Sequence, residues 1–184
     1  MNKLATQHKI SSLVALAVAA AFSANAHAEI SEADVLAAQK TWGDAVVMLS
    51  EHYAEGGIEK ARNTARAVID SAYGYTMGPV LFKPTLAAIP QNIRLTAEGA
   101  LAYFVGHDKA FPNDEGFGIK GWAAVEFENA AIHLSGPVAM SMGNVHFTHN
   151  DGSVTTVDKS FGYQLDDAGN LRIVLHHSSL PYGN

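Results

Sequence analysis

The chain predicts an α+β fold, with N-terminal helices packed across one strongly curved antiparallel sheet. Apolar residues recur at three- and four-residue steps through residues 31–73. From Gly78 onward the period becomes alternating, and Asp-Gly and Gly-Asn signals sit where hairpins need positive φ. Helices first and strands afterwards define α+β. Strands of ten or more residues must twist and curl, so helices lying across the open side make a cone with an internal pocket.

In chain order, Lys3 and Lys9, the apolar run Leu13 to Phe22 and the small-x-small triplet Ala26-His27-Ala28 read as a secretory signal peptide cleaved after Ala28. Its apolar run is too short for a membrane span of about 20 residues. The rest, residues 29–184, predicts one catalytic-size domain. Ser31 can cap a helix over 31–55, with Asp34 in a weaker form of the capping box. Val35, Ala38, Trp42, Val46, Leu49 and Tyr53 form its core stripe, and Gly56-Gly57 ends it. A second helix, about 58–73, carries Ile58, Ala61, Ala65, Val68, Ile69 and Ala72. Pro79 to Lys83 predicts a short strand turning at Pro84, and Ala100 to Val105 another, with residues 111–116 as a turn-rich loop. A meander follows: 121–134, 138–149, 154–165 and 171–180.

The formal net charge is −6, and removing the basic leader leaves the remainder more acidic still. This argues against nucleic acid or anionic lipid as partners. With no cysteine, disulfides, thiolate catalysis and Cys-ligated zinc are excluded.

The last strand departs from the core pattern. Alternation puts Val174, His176 and Ser178 on one face and Ile173, Leu175, His177 and Ser179 on the other. Each face therefore carries one imidazole and one hydroxyl: His176 with Ser178, and His177 with Ser179 as a second face that could line a pocket. The strand alone is equally consistent with a frayed end whose polar groups meet water.

Together with Phe82-Lys83-Pro84-Thr85-Leu86-Ala87 and Glu98-Gly99-Ala100-Leu101-Ala102-Tyr103-Phe104-Val105-Gly106, the His176-His177-Ser178-Ser179 ending resembles the iota class of carbonic anhydrases. These are related to the association domain of calcium/calmodulin-dependent kinase II and to the nuclear-transport-factor-like cone folds. The resemblance runs from Trp42 to Pro181. It implies that Thr85, Tyr103 and Ser178 bind substrate, that His176 completes the catalytic set, and that carbon dioxide and bicarbonate are the ligands. The family ending is often written with three histidines, and Leu175 stands in the first place here.

Hydration of carbon dioxide needs a held water, a base and donors for the nascent bicarbonate oxygens. Thr85, Tyr103 and Ser178 supply hydroxyl donors, and His176 is the expected base because an ordinary imidazole titrates at about 6.5. No cofactor is expected: His176 and His177 point to opposite faces, and His133, His146 and His149 show no ligand spacing. Zn²⁺ or Mn²⁺ is the alternative. Competing readings are a cone-fold small-ligand-binding protein, an acid–base isomerase, for which Glu126 and Glu128 are the carboxylates outside turns and first helix, and a non-catalytic assembly module. A homodimer is expected, since an open sheet face needs cover.

Overall fold

The computed structural model describes residues 29–183. The expected leader over residues 1–28 lies outside the described residues. Helix α1, Glu32–Ala72, starts at the capping box foreseen: Ser31 Oγ accepts from the Asp34 amide, and the Asp34 carboxylate accepts from the Ser31 amide. At Gly57 the backbone leaves helical geometry with φ 68° and ψ −161°. That conformation favours glycine, and the bend it makes is the boundary expected between two helices.

Strand β1, Leu81–Lys83, is followed by helix α2, Ala97–Val105, and a short 3₁₀ turn, Phe117–Ile119. The expected strand over Ala100 to Val105 is therefore a helix. Thr96 caps it by accepting from the Gly99 amide, and Gly106 closes it by donating to the Ala102 carbonyl. Gly99 to Val105 are all buried. A helix buried all round shows a continuous apolar run, which has no period to separate it from a buried strand.

The meander is β2 (Trp122–Ser135), β3 (Val138–His149), β4 (Val154–Leu165) and β5 (Leu171–Ser179). The sheet order is β1-β5-β4-β3-β2, antiparallel except for β1 beside β5, and the sheet is not closed. α1 and α2 cover its concave face, where Trp42 meets Phe104, Phe127, Phe147, Phe161 and His176 edge-on with centroids 5.4 to 6.5 Å apart. Such pairs add directional preference to the area they bury.

One irregularity sets the register of the site. Tyr163 pairs with Ile173 and Gly162 with Leu175, so Val174 is an extra residue in β5. This bulge reverses the alternation. Ile173 therefore shares the buried side with His176 and Ser178, contrary to the strict alternation expected.

Candidate active site

β5 and β1 run parallel with Phe82 opposite His176 and Lys83 opposite His177. The Phe82 ring stacks on the imidazole at 4.3 Å and 17°. Lys83 Nζ donates to the Ser178 carbonyl, and buried Pro84 turns the chain inward. The turn delivers Thr85 Oγ1 to 2.5 Å from Ser178 Oγ. Tyr103 enters from α2, edge-on to Phe82 and stacked on Phe117. Thr85, Tyr103, His176 and Ser178 thus line one pocket, with Trp42, Phe82, Pro84, Phe104, Phe117 and Lys159 as its other walls. The walls close to less than the room of one water molecule.

His176 and Ser178 are the buried pair, at 2% and 1% exposure. His177 is exposed and Ser179 half-buried on the opposite side, so the second face does not line this pocket. Both nitrogens of the His176 ring are engaged: Nδ1 with the Tyr73 hydroxyl at 2.9 Å and Nε2 with Lys159 Nζ at 3.1 Å. Burial first, and the Lys159 charge second, push its basicity well below that of an ordinary imidazole. The imidazole is neutral here and has no free nitrogen to present to a water. Burial pushes the Tyr103 phenol up, with the Leu86 amide countering in part, so it is a neutral donor at pH 7.

The sequence reading took Trp42 only as core and left out Tyr73 and Lys159. Trp42 Nε1 donates to Tyr73 Oη, which continues the chain to His176. Lys159 ends that chain, 5% exposed, with its Nζ 4.4 Å from the centre of the Trp42 ring and 5.3 and 5.6 Å from those of Phe147 and Phe161. The signal was available: Val157, Lys159, Phe161 and Tyr163 share the inward face of β4, and a lysine there breaks an apolar row.

Glu126 and Glu128 are exposed, so β2 puts no carboxylate in the pocket and the acid–base isomerase loses its base. His146 binds Thr156 and Glu128, and His149 lies against Trp122. Among the described residues no three His, Asp or Glu side chains cluster to hold a metal, and no helix is long and apolar enough to cross a membrane.

A curved sheet under two helices, with hydroxyls and a buried imidazole inside, defines a cone-fold α+β protein with an internal polar pocket. Residues 33–180 match the family model described as metal-independent carbonic anhydrase. The chain is 56% identical over 153 residues to the metal-independent carbonic anhydrase of Nostoc sp. (strain PCC 7120 / SAG 25.82 / UTEX 2576), covering 83% of this chain and 75% of that one. It superposes on a cyanobacterial iota-carbonic anhydrase crystallised with bicarbonate at a TM-score of 0.83 and 55% identity, over 85% of this chain and 95% of the other. A calcium/calmodulin-dependent kinase II association domain from Xanthomonas campestris shares the fold at 21% identity and a TM-score of 0.50, over 82% and 88%. The chain belongs to the metal-independent carbonic anhydrase family, and its reaction is the reversible hydration of carbon dioxide. The family bears out the expectation of no cofactor.

Proposed function

We propose that carbon dioxide and bicarbonate bind in the pocket of Thr85, Tyr103, His176 and Ser178. The observation that carries this is the 2.5 Å Thr85–Ser178 contact inside a largely aromatic wall. Two hydroxyls bound to each other in an apolar enclosure exchange that bond for bonds to substrate oxygens, and Tyr103 donates a third. Neutral donors in a water-poor site stabilise charge as it forms on the bicarbonate oxygens. His176 forms the pocket wall beside them and orients the polar chain behind it. The bicarbonate in the related cyanobacterial crystal structure supports the same ligand here.

The test is carbon dioxide hydration by stopped flow for Thr85→Ala, Tyr103→Phe and Ser178→Ala. Each should lower kcat/KM by roughly ten-fold or more, about 1.4 kcal/mol of transition-state stabilisation. Folded variants that keep the parent rate would move the pocket elsewhere.

Two further readings belong to this proposal. The chain acts outside the cytoplasm, in the periplasm or secreted, after cleavage at Ala28; the basic start, apolar run and Ala26-His27-Ala28 support this. It assembles as a homodimer through the outer sheet face, where Met140 and Met142 stand 50% and 63% exposed. Mass spectrometry of the exported chain and light scattering of purified protein test them.

A further inference from the structure

Water that adds to carbon dioxide must lose a proton, and the pocket's hydroxyls are poor acceptors. The His176 ring has both nitrogens committed. We propose that Lys159 is the proton acceptor and counter-charge of the reaction: its neutral amine takes the proton, and the resulting ammonium holds bicarbonate. This rests on the pocket reading above.

Three observations point to it. The first is position. Lys159 pairs directly across from Ser178 between β4 and β5, and both line the pocket, so their Cβ atoms lie about 5 Å apart.

The second is charge. Lys159 is buried and forms no ion pair among the described residues. α1 faces it with uncharged Trp42 and, through His176, with Tyr73; β3 supplies Phe147, and β5 supplies His176 and Ser178. α2 supplies Tyr103, and the turn after β1 supplies Thr85. Lys83 and His177 stand opposite each other in register on β1 and β5, outside the pocket lining, and Asp158 is the neighbour of Lys159 on β4. An anion in the pocket would be the first close countercharge for this ammonium.

The third is hydrogen-bond polarity. Trp42 Nε1–H can only donate, and it donates to Tyr73 Oη. If Tyr73 O–H then donates to His176 Nδ1, the imidazole hydrogen sits on Nε2 and donates to Lys159 Nζ, which must be a neutral amine. Each hydrogen from Trp42 Nε1 through Tyr73 to His176 then has an acceptor. A protonated Lys159 turns the last bond round, sends the imidazole hydrogen to Nδ1 and leaves the Tyr73 hydroxyl hydrogen with no acceptor in the chain. The chain thus has one satisfied arrangement for the amine and a less favourable one for the ammonium, which bicarbonate offsets.

The step balances. The Lys159 amine turns its lone pair from the His176 Nε2 hydrogen toward the water, breaking that hydrogen bond. An oxygen lone pair of water forms the new C–O bond, one C=O π pair moves onto its oxygen, an O–H bond breaks, and its proton joins the nitrogen lone pair of Lys159. Water, carbon dioxide and amine become bicarbonate and ammonium, and bicarbonate departure frees the ammonium to return its proton to solvent. Burial brings the amine from 10.5 to about 7, where a proton is exchangeable at neutral pH.

The experiment combines kinetics with NMR of the ¹³C-lysine-labelled protein, the Lys159 Cε signal being assigned by its loss in Lys159→Met. In the parent, Cε should titrate near pH 7 and move toward the ammonium position when bicarbonate is added at pH 8. Lys159→Met should lose a hundred-fold or more in hydration kcat/KM together with bicarbonate affinity. Lys159→Arg, a cation that cannot release its proton, should lose turnover and keep bicarbonate affinity within a few-fold. A Cε midpoint above pH 9, no response to bicarbonate, or a folded Lys159→Met within three-fold of the parent would each overturn the proposal. Should Lys159→Met fail to fold, the signal is assigned in Lys159→Arg and the titration of the parent decides. If Thr85→Ala and Ser178→Ala lower activity while the Lys159 variants do not, only the lysine's role falls. If none of them matters, the pocket reading falls.

Discussion

Replacing Lys159 by methionine should make the protein more stable at pH 6, and less so as the pH rises. Methionine fills a similar volume among Trp42, Phe147 and Phe161 and carries no charge to desolvate. Depression of the amine from 10.5 to about 7 by burial corresponds, at ~1.4 kcal/mol per unit, to a cost on the order of 5 kcal/mol for the folded ammonium below pH 7. Loss of the His176 bond leaves a buried ring nitrogen unpaired and subtracts about 1–3 kcal/mol, which leaves a gain of roughly 2–4 kcal/mol at pH 6. Between pH 7 and about 10 the unfolded parent binds one more proton than the folded parent, so parent stability climbs with pH while the variant lacks that slope. The gap should shrink by about 1.4 kcal/mol per pH unit across this window. Urea unfolding of both proteins at intervals from pH 6 to 9.5 measures it. A gap that stays constant would show that Lys159 keeps its proton throughout, and would refute the reasoning.

Asp166 accepts from the Asn170 amide and side chain and from Arg172, which hold its carboxyl down at about 2. Its contribution is present above the unfolded value near 4 and is lost as pH falls toward 2, so acid unfolding of Asp166→Asn should lack that component. Gly143 sits where a Cβ would come 2.0 Å from the Glu128 carbonyl, and Gly143→Ala should cost about 3 kcal/mol or more in denaturant unfolding. Tyr73→Phe removes the link between Trp42 and His176, which should move the midpoint of the hydration pH profile while leaving substrate KM within a few-fold. Exhaustive chelation, verified by metal analysis, should leave activity intact, whereas recovery only on adding Zn²⁺ or Mn²⁺ would make the histidines ligands.

Most of the frame was legible because local signals and tertiary packing agree. The Ser31 box, the Gly57 break and the turns between strands each act within a few residues, and the bounds expected for β3 and β4 are those observed. α2 was missed because its sides are all covered, which erases the period, although Thr96 and Gly106 marked its ends. The inward pair His176 and Ser178 was legible as alternation, yet Ile173 was placed on the wrong face because a bulge at Val174 has no strong signature in a run of aliphatic residues. Lys159 was legible as a violation of the β4 pattern. Its partner His176, 17 residues on, could be recognised only once the two strands were paired.

The aromatic enclosure explains why carboxylates are kept out of this site. Trp42, Phe147 and Phe161 present ring faces to Lys159, which favours the ammonium modestly, while their exclusion of water favours the amine. These opposing effects hold the two protonation states close in free energy at neutral pH. A carboxylate at hydrogen-bond distance would end that balance, because an opposite charge within about 4 Å favours the charged form and commits the proton permanently. Glu126 and Glu128 stand on the exposed side of β2, and a buried ion pair, Arg94 with Asp114, ties the segment before α2 to the loop after it. The one anion this lysine meets at close range is then the one the reaction makes, so bicarbonate both stabilises the proton when it forms and releases it on leaving. A metal ion achieves a similar end by acidifying a bound water; here the proton's destination is tuned instead of its source.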